Sequence, residues 1–425
     1  MQTTSAKFTV TSCWSYYNKG DAAIVAATVK LINKAIKDAE ITALSFDPQS
    51  FYESGNGLGG DVKVFSMPTT ADSLRPLLIL LNWSSYFSLQ NFFGPFFLLL
   101  SLLLIRFFRH VDNNLKQALE SIDDSNLVIM AGGGYLYSHV GFYVHAIPII
   151  YSKFVRKKKI ILLGHSIGPF EDFSSRTISR IILSSADLVV FREDLSRLYV
   201  EENLKIFLQN SFVSCDMALF LEAPPSAVHR VSAYANRVGI TVRPWLFNEP
   251  SLYHLYLTSI EKLSLSLLER EFEIYLFPFS TVRGWEDDSE ACNAIYERIS
   301  IKYPKKSHLL DVKKEPPESI LRILKDLKLA IFVGTRFHSV LLSSIAGIPS
   351  VVISYQHFKA HGISGQLGLS DYIIDIENMH YDELLNCVER LIDDNETVRM
   401  RLAERINGLK RASEKRIMSS LMSLL

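Results

Sequence analysis

The chain has 425 residues, 48% of them apolar, which is enough for a sizeable core and too long for a single one, so two domains are expected and disorder is excluded. Forty-five Lys and Arg balance 45 Asp and Glu, so no overall field draws a nucleic-acid backbone or an anionic membrane, and any anion site must be built locally. Cys13, Cys215, Cys292 and Cys387 lie far apart without CxxC spacing, which points to reduced thiols rather than a zinc cluster or a disulfide framework.

Residues 1–10 carry no charged segment followed by an apolar core and a small-residue cleavage site, so a cytoplasmic protein is expected. The first 220 residues repeat one pattern: an apolar run, a glycine or turn, then a helical stretch. That pattern implies a parallel sheet with helices on both faces, with functional groups at the C-terminal ends of its strands. Strands are expected at 8–11 and 41–45, and between them Asn18 to Ile24 (NKGDAAI) opens a helix, with Asp21 either its N-cap or a substrate contact.

Residues 92–105 (FFGPFFLLLSLLLI) are almost wholly apolar and follow a Trp83/Tyr86/Phe87 cluster. The run is interrupted by Gly94 and Pro95, closed by Arg106 and Arg109, and short of the roughly 20 residues that span a bilayer. A helix covered by protein is the first reading, and interfacial or re-entrant membrane contact the second.

The strand at 127–130 leads into Gly132, Gly133 and Gly134, where backbone amides can approach a ligand or simply make a tight turn. The basic run Arg156 to Lys159 reads as a solvated helix end ahead of the strand at 160–163. That strand exits into GHSIGPF, with His165 and Ser166 as polar groups and His165 structural or on the acceptor side. The strand at 188–191 delivers Arg192, which can fork onto a phosphate or carboxylate, or pair with Glu193 or Asp194.

Near residue 225 the apolar rhythm stops, and strands resume at 238–242, 274–277, 330–333 and 350–353. The third of these places Gly334, Thr335, Arg336 and His338 at a strand exit and helix start, an arrangement suited to anion binding and proton transfer. The next strand exits toward Lys359 and two histidines, and residues 381–425 read as helix with charged faces.

Taken together, NKGD at Asn18–Asp21, GGG at Gly132–Gly134, SIGP at Ser166–Pro169, RxxxS at Arg192–Ser196, GITVRP at Gly239–Pro244 and GTRFHS at Gly334–Ser339 resemble the polysaccharide pyruvyl transferase family. The resemblance implies an α/β fold of the glycosyltransferase-B type, two Rossmann-like domains facing a cleft. Residues 1–225 would form the acceptor side, with an apolar insertion at about 76–110 that matches no family motif. Residues 226–425 would form the donor side with the C-terminal helices.

The resemblance further implies transfer of the pyruvyl group of phosphoenolpyruvate, as a ketal, onto a sugar of an exopolysaccharide or cell-wall glycan precursor, lipid-linked or free, with release of phosphate. Arg192 and Arg336 would hold the donor's phosphate or carboxylate, His338 would be the general acid, and Lys359, Thr335, Gly334, Asp21, Gly133, Gly134 and Ser166 would line the substrates. No metal or other cofactor is expected. Where family members often read Tyr-Asp-Pro-Lys, this chain has YQHFK at Tyr355–Lys359, so Lys359 sits in a different loop. Two rivals are a sugar-nucleotide-dependent glycosyltransferase of the same fold, with Asp375 or Glu377 at the ribose, and a non-catalytic assembly protein. Peripheral contact of residues 92–105 would place the protein at the inner face of the cytoplasmic membrane.

Overall fold

The computed structural model describes residues 5–55, 58, 59, 61–70, 74, 90–223, 236–244, 249–284, 286–355 and 357–425. The Trp83/Tyr86/Phe87 cluster lies outside the described residues, as do the rest of 76–89 and residues 224–226 at the expected boundary. The chain divides into two compact units, one made of Met1–Tyr16, Ile24–Met217 and Arg411–Leu425, the other of Tyr17–Ala23 and Ala218–Lys410.

Two segments are therefore exchanged relative to a simple division at 225, and backbone pairing explains the first. The Thr281 amide donates to the Tyr17 carbonyl at 3.0 Å and the Lys19 amide to the Phe279 carbonyl at 3.1 Å. The end of the last helix (Asn395–Leu424) is tied to the first unit, with the Arg416 guanidinium 4.0 Å over the Phe212 ring and Lys159 Nζ donating to the Leu424 carbonyl at 2.8 Å.

In the first unit, strands β1 (Lys7–Ser15), β2 (Glu40–Asp47), β3 (Lys63–Ser66), β4 (Leu127–Met130), β5 (Gly133–Leu136), β6 (Lys159–Ile167), β7 (Leu188–Phe191) and β8 (Ser211–Val213) form one sheet in the order β3-β2-β1-β4-β6-β7-β8, with β5 beside β6. Every pair in it is parallel. Val10, Ile129, Ile161 and Val190 in its centre are fully buried, as expected for strands covered on both faces.

The apolar run forms the helix Gln90–Phe108, which packs on the helices Val140–Ile150 and Phe173–Ser185. No single helix among the described residues is long and apolar enough to cross a membrane.

The second unit repeats the plan. Strands β9 (Arg237–Thr241), β10 (Glu273–Leu276), β13 (Ser307–Leu309), β14 (Ile331–Gly334), β15 (Ser350–Ser354) and β16 (Ile373–Asp375) run parallel in the order β13-β10-β9-β14-β15-β16. A small antiparallel hairpin, β11 (Thr281–Val282) and β12 (Glu286–Asp287), follows β10.

Leaving aside β5 and the hairpin, both sheets follow the Rossmann order, in which strand order reverses beside the first strand. The reversal lies between β1 and β4 in the first unit and between β9 and β14 in the second. Crevices at the C-terminal ends of such strand pairs are where ligands bind in doubly wound sheets.

Candidate active site

At the β9/β14 reversal the two strand exits are cross-linked through Thr241. Its hydroxyl oxygen accepts the Thr335 amide at 3.1 Å and lies 3.0 Å from the Ser339 hydroxyl. The Thr335 hydroxyl meets the Tyr256 hydroxyl at 2.9 Å, and Tyr256 in turn accepts the Arg243 amide at 3.2 Å. Gly334 serves packing, because a methyl group there would lie 2.4 Å from Val340 Cγ2. Its absence lets the helix Phe337–Ile345 begin immediately after the strand, with its N-terminus at the crevice.

Arg336 occupies the N-cap position of that helix and is 6% exposed. Its Nε and Nη2 grip the fully buried Asp288, Nη2 at 2.7 Å from Oδ1, and its Nη1 lies 3.1 Å from Glu286 Oε2. The Ser280 amide donates to Asp288 at 2.9 Å, fixing the carboxylate beneath the guanidinium. Burial alone would lower the guanidinium pKa, but Asp288 and then Glu286 outweigh it and raise it above the ordinary value, so Arg336 is a permanent cation. Arg243 is a second cation here: it stacks 4.0 Å over the Tyr355 ring, and its charge, like that of Arg336, acts on Asp288.

The segment from Asn18 supplies the next wall. Asn18 Nδ2 donates to Glu286 at 3.0 Å, while Asn18 Oδ1 accepts the Gly20 and Asp21 amides at 3.1 and 3.4 Å. Asn18 is therefore the residue that caps the helix Lys19–Ala35, and Asp21, considered above for that role, sits half-buried in its first turn. The Lys19 ammonium is buried and donates to the Lys313 carbonyl at 2.6 Å. Burial lowers its pKa to about 7 against the opposing pull of Glu315 and Asp311.

Gly20 lies against His338, and a methyl group at Gly20 would stand 2.3 Å from His338 Nδ1. The imidazole, 8% exposed, rests on a backbone that only glycine leaves open.

In the first unit, Arg192 is completely enclosed. Its Nη1 donates to Asp216 at 2.8 Å, its Nε to the Ser166 hydroxyl at 3.0 Å, and Glu193 lies 3.5 Å away. Glu193 also accepts from Ser166 at 2.9 Å and from Ser196, whose oxygen receives the Ile167 amide at 2.7 Å. Arg192, read from sequence as a donor contact or a surface pair, is thus the hub of a buried ionic network that fixes the turn after β6, and Ser166 belongs to that network. Gly133 and Gly134 start the short strand β5 rather than a strand-to-helix turn, with Gly133 opposite His165. His165 is buried with Nε2 3.2 Å from the Met130 carbonyl, and burial lowers its pKa to about 3, so it is a neutral, structural imidazole.

Lys359 lies in the helix His357–Leu367, and its side chain is outside the described residues. The nearby His361 pairs with Asp375 at 3.1 Å. Asp288, Glu286 and Arg243 were missed as site residues. The signals were present: an acidic triplet Glu286 to Asp288 before a helix, and an arginine two residues beyond the β9 strand end in GITVRP, the block facing GTRFHS across the sheet.

Two parallel sheets of Rossmann order, one in each unit, are the α/β architecture of the glycosyltransferase-B fold. The chain's likeness to solved structures is of that kind: TcCGT1 in complex with UDP matches with a TM-score of 0.60 at 12% identity, covering 99% of this chain and 100% of that one. HepE of Anabaena, also in complex with UDP, matches with a TM-score of 0.54 at 10% identity, covering 98% and 100%. At such identities only the fold is shared. The sequence profile described as polysaccharide pyruvyl transferase matches residues 18–357, and the chain belongs to that family, as a transferase of polysaccharide biosynthesis. It is similar to the amylovoran biosynthesis protein AmsJ of Erwinia amylovora, 25% identical over 330 residues, or 71% of this chain and 74% of that protein.

Proposed function

We propose that this chain transfers the pyruvyl group of phosphoenolpyruvate to two hydroxyls of one sugar in a polysaccharide precursor, forming a ketal and releasing phosphate. The observation that carries the reading is Arg336, a permanent cation clamped by Asp288, next in sequence but one to His338 at the start of a helix. Among the described residues its Nη1 edge pairs with the half-buried Glu286 at 3.1 Å. A donor phosphate or carboxylate would take the place of Glu286 on that edge, while Asp288 keeps the guanidinium in position. Arg243 is a second cation for the donor's other anionic group, Thr335 sits at the same helix start, and Lys359 is a further cation on the next helix.

The chemistry divides into three steps. His338 protonates the methylene carbon, and the resulting oxocarbenium at the central carbon is attacked by a sugar hydroxyl, whose proton returns to the imidazole. Phosphate then leaves with its bonding electrons, its charge held by the arginines. The second hydroxyl adds to the oxocarbenium so formed and closes the ketal, its proton passing to the released phosphate. Arg192 takes a positioning role within the first unit, holding Ser166 at the exit of β6; Gly133, Gly134 and Ser166 are proposed acceptor contacts of that unit, and Asp21 a proposed substrate contact of the second.

Donor binding tests the reading. Phosphoenolpyruvate at about 100 times its Kd should stabilise the wild-type protein by about 2.7 kcal/mol, seen as a rise in Tm that Arg336→Ala abolishes. Stabilisation by a sugar nucleotide instead, with no response to phosphoenolpyruvate, would favour the glycosyltransferase reading.

A further inference from the structure

The helix Gln90–Phe108 carries two apolar faces, and among the described residues one of them is packed against the fold. Phe97, Ser101 and Ile105 are buried, on the side that packs against the helices Val140–Ile150 and Phe173–Ser185. On the other side Phe96, Leu99, Leu103 and Phe107 are 45%, 59%, 57% and 76% exposed. Their spacing of three, four and four places them in one stripe about 16 Å long. Large apolar side chains aligned in this way and left in water mark an interaction surface.

The charge on the helix itself is of one sign. Residues 90–111 contain no Asp or Glu, and the exposed Arg106 and Arg109 stand at the C-terminal end of the helix. Arg109 and Arg156 both act on Asp123, and although Arg156 is ion-paired with that carboxylate, this brings the basic run into the same neighbourhood, with Lys157 and Lys159 exposed. A helix with Phe and Leu on its outer face and arginines beside them matches an interface that is apolar below and anionic above.

We infer that this face docks the protein on an anionic lipid bilayer, with the helix lying in the plane of the interface and the stripe inserted among the acyl chains. The buried face fixes the depth, because Phe97, Ser101 and Ile105 are held by the protein and only the stripe enters. This docking is independent of the donor chemistry at Arg336 and His338.

The test is co-sedimentation of the full chain with vesicles of phosphatidylcholine alone or mixed with phosphatidylglycerol. The wild-type protein should bind the mixed vesicles, more weakly as salt is raised. The double variant Leu99→Glu/Leu103→Glu should bind about tenfold less or worse, and Arg106→Glu/Arg109→Glu should lose the preference for phosphatidylglycerol. Unchanged Tm values for both variants would show that the fold is retained, as expected for exposed positions. No wild-type binding, or binding indifferent to the leucine changes, would overturn the inference. So would a leucine variant that binds vesicles normally but turns a dimer into a monomer, because the stripe would then cover a second copy of the chain. Phosphate release with a water-soluble acceptor should be unaffected by either variant, which separates failure of docking from failure of the catalytic reading.

Discussion

His338→Ala should lower turnover with phosphoenolpyruvate by about 100- to 10,000-fold, the range by which a positioned general acid accelerates proton transfer, with little change in Tm. The size follows from the step assigned to it: carbon protonation is slow from water, and in the scheme above His338 alone supplies the proton. Gly20→Ala provides a second handle on the same group. A methyl 2.3 Å from His338 Nδ1, with Cγ at 2.5 Å and Cβ at 2.6 Å, forces the imidazole aside, since backbone on the glycine side cannot yield as easily as a side chain. Overpacking of this kind costs about 1–3 kcal/mol, and kcat should fall more than that loss of stability explains, with KM for phosphoenolpyruvate changing less. Steady-state kinetics beside thermal denaturation separate these effects. Full turnover by His338→Ala would remove it as the acid.

Arg192→Ala should behave in the opposite way, costing about 3–5 kcal/mol of stability, the usual penalty for removing one member of a buried ion pair. The alanine leaves Asp216 and Glu193 at zero exposure without their cation, and Ser166 without the donor that orients it. Urea denaturation is the measurement. A variant of ordinary stability with a raised KM for phosphoenolpyruvate would instead show that Arg192 touches the donor directly, as the family resemblance alone suggests.

The contrast between these two arginines shows what sequence can and cannot convey. Both follow an apolar strand, Val190-Phe191 in one case and Val333-Gly334 in the other, and both look like cleft cations. The difference lies in partners far away in the chain: Asp216 lies 24 residues beyond Arg192 and Asp288 lies 48 residues before Arg336. No local pattern announces such pairings. The strands tell a similar story. Several inner strands, β4, β6, β7 and β14 among them, are covered on both faces and stand out by runs of three or more apolar residues. The edge strands β3, β8, β13 and β16 have three or four residues each and one open side, so their apolar signal is too brief to separate from a loop.

The exchange of residues 17–23 into the second unit was illegible for a related reason. The Asn18 block looked like the exit loop of the first strand, which it is in chain order. Its anchoring to Ser280, Thr281 and Glu286 depends on a hairpin of two-residue strands with no periodicity to read. The helical character of residues 92–105 was legible from the apolar run, but the division between a buried and an exposed face appears only once the neighbouring helices are in place.

The most direct measurement of the central claim is product formation: the purified protein incubated with phosphoenolpyruvate and a panel of lipid-linked and aryl glycosides, followed by phosphate release and product mass. The expected result is phosphate released in equal amount with a glycoside that has gained one pyruvyl ketal, both lost in His338→Ala and in Arg336→Ala. Phosphate release without a gain of mass on any sugar, or full activity in both variants, would contradict it.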